Sequence, residues 1–151
     1  VKVNATINGM KRVLDVQPDE YLVDTLRRYN YLSVRRGCDT TSCGVCTILV
    51  DDQPVPSCAY LSVRADGKTI TTVEGIPKHA EKLSEHFGET GADQCGFCNS
   101  GIALSVYALQ KSGKGITDET LRHYLVGHLC RCTGYQAQHQ AIKKYLGDSD
   151  E

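Results

Sequence analysis

Apolar and polar positions alternate from the first residue. Val1, Val3, Ala5 and Ile7 stand two apart among mostly polar neighbours, the period at which strand side chains share a face. A weaker alternation, Met10, Arg12, Leu14 and Val16, follows Asn8-Gly9, a pair suited to the left-handed dihedrals of a type I′ turn, so the opening segment predicts a β-hairpin. Leu22, Leu26 and Tyr29 then recur at helical spacing, and Asp19, after Pro18, is placed to cap a helix reaching about Asn30. Val45 to Val50 predicts a strand, Asp51-Asp52 a turn, and Thr69 to Val73 a further short strand. This part of the chain reads as α+β, with one helix crossing a small sheet.

Strand signals cease near Gly75 to Pro77, and every later segment has helical period. Leu83 and Phe87 form one pair; Ile102, Val106 and Leu109 form a longer stripe; Leu121, Tyr124 and Leu125 follow Thr117 as N-cap; Ile142, Tyr145 and Leu146 come last. Four helices are expected, and the shift divides the chain into residues 1–76 and 77–151. Neither part reaches ~80 residues, a size at which one hydrophobic core seldom supplies more than a few kcal/mol, so each needs a staple.

Composition narrows the candidates for that staple. Lys and Arg (17) nearly cancel Asp and Glu (18), so the formal charge of -1 supplies no basic field for nucleic acid. No apolar run approaches the ~20 residues of a membrane span, and VKVNATINGM lacks the apolar stretch of a secretory leader; the expected setting is the cytoplasm. Eight cysteines in 151 residues fall below the density of short disulfide scaffolds, and in a reducing compartment they are better read as metal ligands.

The cysteines divide four and four. Cys38, Cys43, Cys46 and Cys58 are separated by four, two and eleven residues, the plant-type ferredoxin spacing of a 2Fe-2S site. Gly37 and Gly44 flank ligands at positions where a missing Cβ lets the backbone approach a cluster. Structural zinc prefers paired short knuckles, and the eleven-residue gap leaves the last cysteine without a close partner in sequence. Cys95 and Cys98 form a C-x2-C, and after thirty-one intervening residues Cys130 and Cys132 form a C-x-C. Spacing alone leaves zinc, a second cluster or a redox dithiol open for this quartet.

Gln94-Cys95-Gly96-Phe97-Cys98 with Gly101, Leu129-Cys130-Arg131-Cys132-Thr133-Gly134-Tyr135, Gly37-Cys38-Asp39-Thr40 and Cys43-Gly44-Val45-Cys46-Thr47 closely resemble the iron–sulfur component of the xanthine oxidase family of molybdenum hydroxylases. The resemblance covers essentially the whole chain. It implies a plant-type ferredoxin (β-grasp) fold followed by a four-helix bundle, each with one 2Fe-2S cluster, in a separate small subunit. It also implies a molybdopterin-binding large subunit and an FAD-binding medium subunit as partners. In such enzymes electrons leave molybdenum singly, pass through the C-terminal and then the N-terminal cluster, and reach FAD. The counterpart of Gln94 contacts the pterin, and the counterpart of Cys132 lies within reach of its exocyclic amine. Two oxidised clusters on thiolates take the formal charge from -1 to about -5.

Three departures from the family pattern carry expectations. Thr41 stands where Gly or Ser is common, predicting a slightly wider loop. Asn99 and Ser100 replace a Thr-Pro pair, and either can cap the helix that begins there. His128 replaces an Asn before Leu-Cys-Arg-Cys and is read as a hydrogen-bonded packing residue. His79, His86, His123 and His139 show no ligand spacing and read as solvated or remote from the clusters, and Lys143 and Lys144 as solvated charges. No phosphate cradle, catalytic triad or nucleophile elbow is present, so the chain is expected to move electrons and break no bonds. The resemblance implies a xanthine, other purine or other N-heterocycle as the substrate of the parent enzyme, with aldehydes and carbon monoxide as alternatives. A freestanding two-cluster ferredoxin and a zinc module are the alternatives.

Overall fold

The computed structural model describes residues 1–148. Strands β1 (Lys2–Ile7) and β2 (Met10–Asp15) form the predicted hairpin, with Asn8 and Gly9 both left-handed at φ 50° and 80° as a type I′ turn requires. Helix α1 (Leu22–Arg28) follows, then β3 (Thr47–Val50), β4 (Gln53–Pro56) and β5 (Thr69–Thr71). They make a mixed five-stranded sheet in the order β2-β1-β5-β3-β4, parallel only between β1 and β5.

Strand β4 carries no strand signal in the sequence, because Gln-Pro-Val-Pro lacks two N–H donors. It is tolerated because β4 is an outer strand and needs partners on one side only. The Asp51-Asp52 turn is left-handed at both residues, at φ 49° and 65°. β3 starts two residues later than Val45, and β5 ends at Thr71. Helix α1 is also shorter than its periodicity predicts, and Asp19 is not its cap. Tyr21 holds that position in an extended conformation, bridged to Leu61, and the Leu22 N–H donates to the Tyr60 carbonyl at 2.7 Å. Glu20 organises the approach, accepting from the Gln17 N–H at 3.0 Å and from Arg28 at 2.8 Å.

All four later helices are present: α2 (Pro77–Thr90), α3 (Asn99–Ser112), α4 (Asp118–Leu125) and α5 (Gln136–Asp148). Pro77 opens α2 where its missing N–H costs nothing, and left-handed Gly91 and Gly113 end α2 and α3. Thr117 caps α4 as predicted; its hydroxyl accepts from the Thr120 N–H at 3.1 Å, and the Thr120 hydroxyl accepts from the Thr117 N–H at 2.9 Å. Thr117→Ala is expected to lower stability by about 1 kcal/mol, read as a lower denaturant midpoint at unchanged slope.

One core gathers Val3, Ile7, Leu14, Leu22, Leu26, Ile48 and Ile70 around the sheet and α1, and a second gathers Leu83, Phe87, Ile102, Leu121, Ile142 and Tyr145 among the helices. A third, smaller cluster joins them: Leu49 on β3 packs with Leu104 and Ala108 on α3 and with Ile76. Helix α3 is therefore buried nearly all round, and β3 on both faces. Among the described residues no helix is long and apolar enough to cross a membrane.

Candidate metal centres

The first quartet is assembled by a loop and a hairpin. Cys38 and Cys43 come together where the loop turns through left-handed Thr41 and Gly44, at φ 58° and 76°. The eleven-residue gap to Cys58 is the β3–β4 hairpin itself. Its register sets Thr47 opposite Pro56, which returns Cys58 to the side of Cys46, and the Ser57 hydroxyl donates to the Cys46 carbonyl at 2.6 Å. A cavity of about 220 Å³ opens beside Cys38, Cys46 and Cys58, bounded by Gly44, Ser105 and His128. Backbone N–H groups of Ser42, Cys43 and Thr40 face the Cys38 sulfur and pull its thiol down to about 6; the Ser42 contact is 3.4 Å. Burial pushes the Cys43 and Cys46 thiols up.

The second quartet is built at helix ends. Left-handed Gly96 turns the chain between Cys95 and Cys98, and Cys98 stands at the N-cap of α3. Asn99 and Ser100 do not cap that helix: the Asn99 amide donates to Asp93 at 3.1 Å, and the buried Ser100 hydroxyl makes no hydrogen bond. Cys130 and Cys132 lie in the turn before α5, where the Cys130 N–H donates to the Tyr135 hydroxyl at 2.9 Å. The thiols pair across the two segments, Cys95 with Cys132 at an exposed end and Cys98 with Cys130 at a buried one. Burial pushes the Cys98 thiol up to about 11, with Cys130 beside it adding to the rise. Cys130 lies below its usual range: burial opposes this, but the Thr133 hydroxyl and the N–H groups of Thr133 and Cys132 outweigh it.

Both quartets thus present thiols two by two. Pairs of thiols a short step apart, with N–H donors aimed at sulfur, suit a rhomb whose two irons each take two thiolates.

The two centres are clasped by backbone. The Leu129 N–H, one residue before Cys130, donates to the Cys43 carbonyl at 2.9 Å. Three glycines make room for this approach. A Cβ on Gly44 would lie 2.3 Å from the Gly127 carbonyl oxygen and 2.7 Å from the His128 Nδ1, and one on Gly101 would lie 2.3 Å from the Gly44 carbonyl oxygen. Gly37 is filled likewise by Val45, Phe97 and the Cys43 sulfur. Arg35 spans the same seam, donating to the carbonyls of Gly96 and Phe97 at 2.6 and 2.9 Å and lying over the Phe97 ring.

His128 is the packing residue the sequence implied. It is buried, its Nε2 lies 2.7 Å from the Ser105 hydroxyl, and burial lowers its pKa to about 4, so it is neutral at physiological pH. The other histidines correct the sequence reading in part: His86 is buried in α2, and His79 is hydrogen-bonded to the Tyr145 hydroxyl at 2.7 Å, while His123 is exposed. Lys143 pairs with Asp118, and Lys144 approaches Glu89 at 4.0 Å. Gln94 is exposed beside Cys95, at the end where Cys132 is exposed too. Two further residues act near the sulfurs. Arg35 acts across the seam, and Gln138 is buried with its Nε2 3.4 Å from the Cys98 sulfur. Gln138 did carry a signal, since it stands four and seven residues before Ile142 and Tyr145, on the apolar stripe of α5.

Fold and cysteine geometry together define a protein with two 2Fe-2S centres. A model of the 2Fe-2S iron-sulfur cluster binding domain matches residues 5–74, and one of the [2Fe-2S] binding domain matches residues 72–143. The chain is 37% identical over 146 residues to the nicotinate dehydrogenase small FeS subunit of Eubacterium barkeri, covering 95% of this chain and 93% of that one. It is 40% identical over 140 residues to the xanthine dehydrogenase iron-sulfur-binding subunit of Escherichia coli O157:H7, covering 90% and 88%. Quinoline 2-oxidoreductase from Pseudomonas putida 86 contains a chain that superposes with a TM-score of 0.90 at 35% identity, over 99% of this chain and 94% of that one. The chain belongs to the iron–sulfur subunits of the xanthine oxidase family of molybdenum hydroxylases.

Proposed function

We propose that Cys38, Cys43, Cys46 and Cys58 hold one 2Fe-2S cluster and Cys95, Cys98, Cys130 and Cys132 the other, and that the chain carries electrons from a molybdopterin centre on a large partner subunit to FAD on a medium one. The observation that carries this reading is the pairing of the thiols in both quartets, joined by the hydrogen bond from Leu129 to Cys43. Each cluster, when bound, takes up and gives back one electron. The rest is the work of the chain. N–H groups and hydroxyls lie against the sulfurs to offset negative charge, buried Cys43, Cys46 and Cys98 keep one side of each centre dry, and the glycines hold the centres close.

The division of labour follows the fold. Residues 1–76 form the ferredoxin-like β-grasp part, and the part that begins at residue 77 is, over the described residues to 148, the four-helix part. The exposed end of the second centre, with Gln94, Cys95 and Cys132, faces the pterin. A Gln amide offers both a donor and an acceptor to a heterocycle whose edge presents both, and a ligating thiolate still accepts a weak hydrogen bond. The substrate is bound by the molybdenum subunit, and the relatives named for nicotinate, xanthine and quinoline support an N-heterocycle.

Gln94→Ala is expected to leave both clusters assembled, yet to weaken molybdenum retention in the complex or to slow reduction of the C-terminal cluster by substrate. Molybdenum content and that reduction rate, both unchanged, would remove Gln94 from the pterin contact. Size exclusion of the native protein tests the subunit reading itself. A stable complex far larger than 16.6 kDa supports it, and a monomer would favour a freestanding ferredoxin.

A further inference from the structure

We infer that Gln138 raises the reduction potential of the C-terminal centre by donating a hydrogen bond to the sulfur of Cys98, an inference that rests on the ligand assignment proposed above. Gln138 lies in the first turn of α5 and is 2% exposed, and its Nε2 lies 3.4 Å from the sulfur of Cys98, itself 7% exposed. A primary amide buried on an apolar stripe is costly unless its hydrogen bonds are made, a penalty that Leu or Ile at this position would avoid. The partner that the fold supplies is a ligand sulfur.

The consequence for redox chemistry has a definite sign. Reduction adds one negative charge to a centre already anionic on its thiolates. A donor N–H on a ligand sulfur therefore stabilises the reduced form more than the oxidised one, and in a dry surrounding this effect is little screened. Thr133 acts in the same sense, its hydroxyl lying 3.2 Å from the Cys130 sulfur. Both side-chain donors thus serve the buried Cys98–Cys130 end, the end that Leu129 links to Cys43. Cys95 and Cys132, at the exposed end, are left to solvent or to a partner.

Gln138→Met fills similar space without a donor. In an EPR-monitored redox titration of the full holo chain, the C-terminal signal of this variant should show a reduced-to-oxidised ratio about tenfold lower at fixed potential, which for a one-electron couple is ~59 mV. The N-terminal signal serves as internal reference and should not move. An unchanged C-terminal midpoint would overturn the inference, and so would a rise, which would mean that the amide turns its oxygen to the sulfur. If the variant fails to assemble the centre, unaltered protein carrying 15N in its glutamine side-chain amides decides the matter. A hyperfine coupling on the C-terminal signal that persists in Gln94→Ala supports the contact, and its absence overturns it. Failure of the ligand assignment looks different: the C-terminal signal would survive Cys98→Ser.

Discussion

Cys98→Ser should remove the C-terminal EPR signal and about half of the roughly four irons per chain, while the N-terminal signal persists. Cys98 is buried between Gln138 and Cys130 at the start of α3, so no solvent-side ligand can replace it there. A serine hydroxyl is a poor substitute, because it stays protonated where a ligating thiol ionises. Cys43→Ser is the complement. It should remove the N-terminal signal and destabilise the β-rich part, since Cys43 is buried and the centre it would hold staples that part. Loss of both signals with equal loss of fold from either change would contradict the division into two centres on separately stabilised parts.

Gly44→Ala should be costlier for the fold than any conservative surface change, by about 2–5 kcal/mol. A non-glycine residue at the left-handed φ of 76° costs about 1–2 kcal/mol, and overpacking adds about 1–3. The atoms a methyl group would meet are the Gly127 carbonyl oxygen and a buried imidazole held by Ser105, neither free to swing away. Gly101→Ala supplies a check with inverted sign. Alanine normally stabilises a helix interior by about 1 kcal/mol over glycine, but here its Cβ would lie 2.3 Å from the Gly44 carbonyl oxygen, so a net loss is expected. Denaturant unfolding reads both variants, and the same variants should slow electron exchange between the centres. A stabilised Gly101→Ala would show that the seam between the centres is looser than described.

What could be read from the chain alone was set by local rules. Asn8-Gly9 determines its turn because left-handed dihedrals are a property of those two residues, and Thr117 caps α4 with hydroxyl contacts made three residues away. The cysteine spacings were legible for the same reason, as was His128 as a packing residue. Features owed to distant partners were not. Tyr21 displaces Asp19 at the start of α1 because Leu61 and Tyr60 pair with that segment, some forty residues away. β4 exists because β3 offers an edge that tolerates two prolines. Arg35 shows its role only once Gly96 and Phe97 are brought to it, and the thiol pairs become visible only when the hairpin carries Cys58 back to Cys46.

EPR of the dithionite-reduced protein, combined with iron and sulfide analysis, tests the central claim most directly. Two centres held by two separate quartets should give two distinct signals, each integrating to about one spin per chain, with about four iron and four sulfide. One signal with about two irons, or zinc with no visible absorption, would contradict the account.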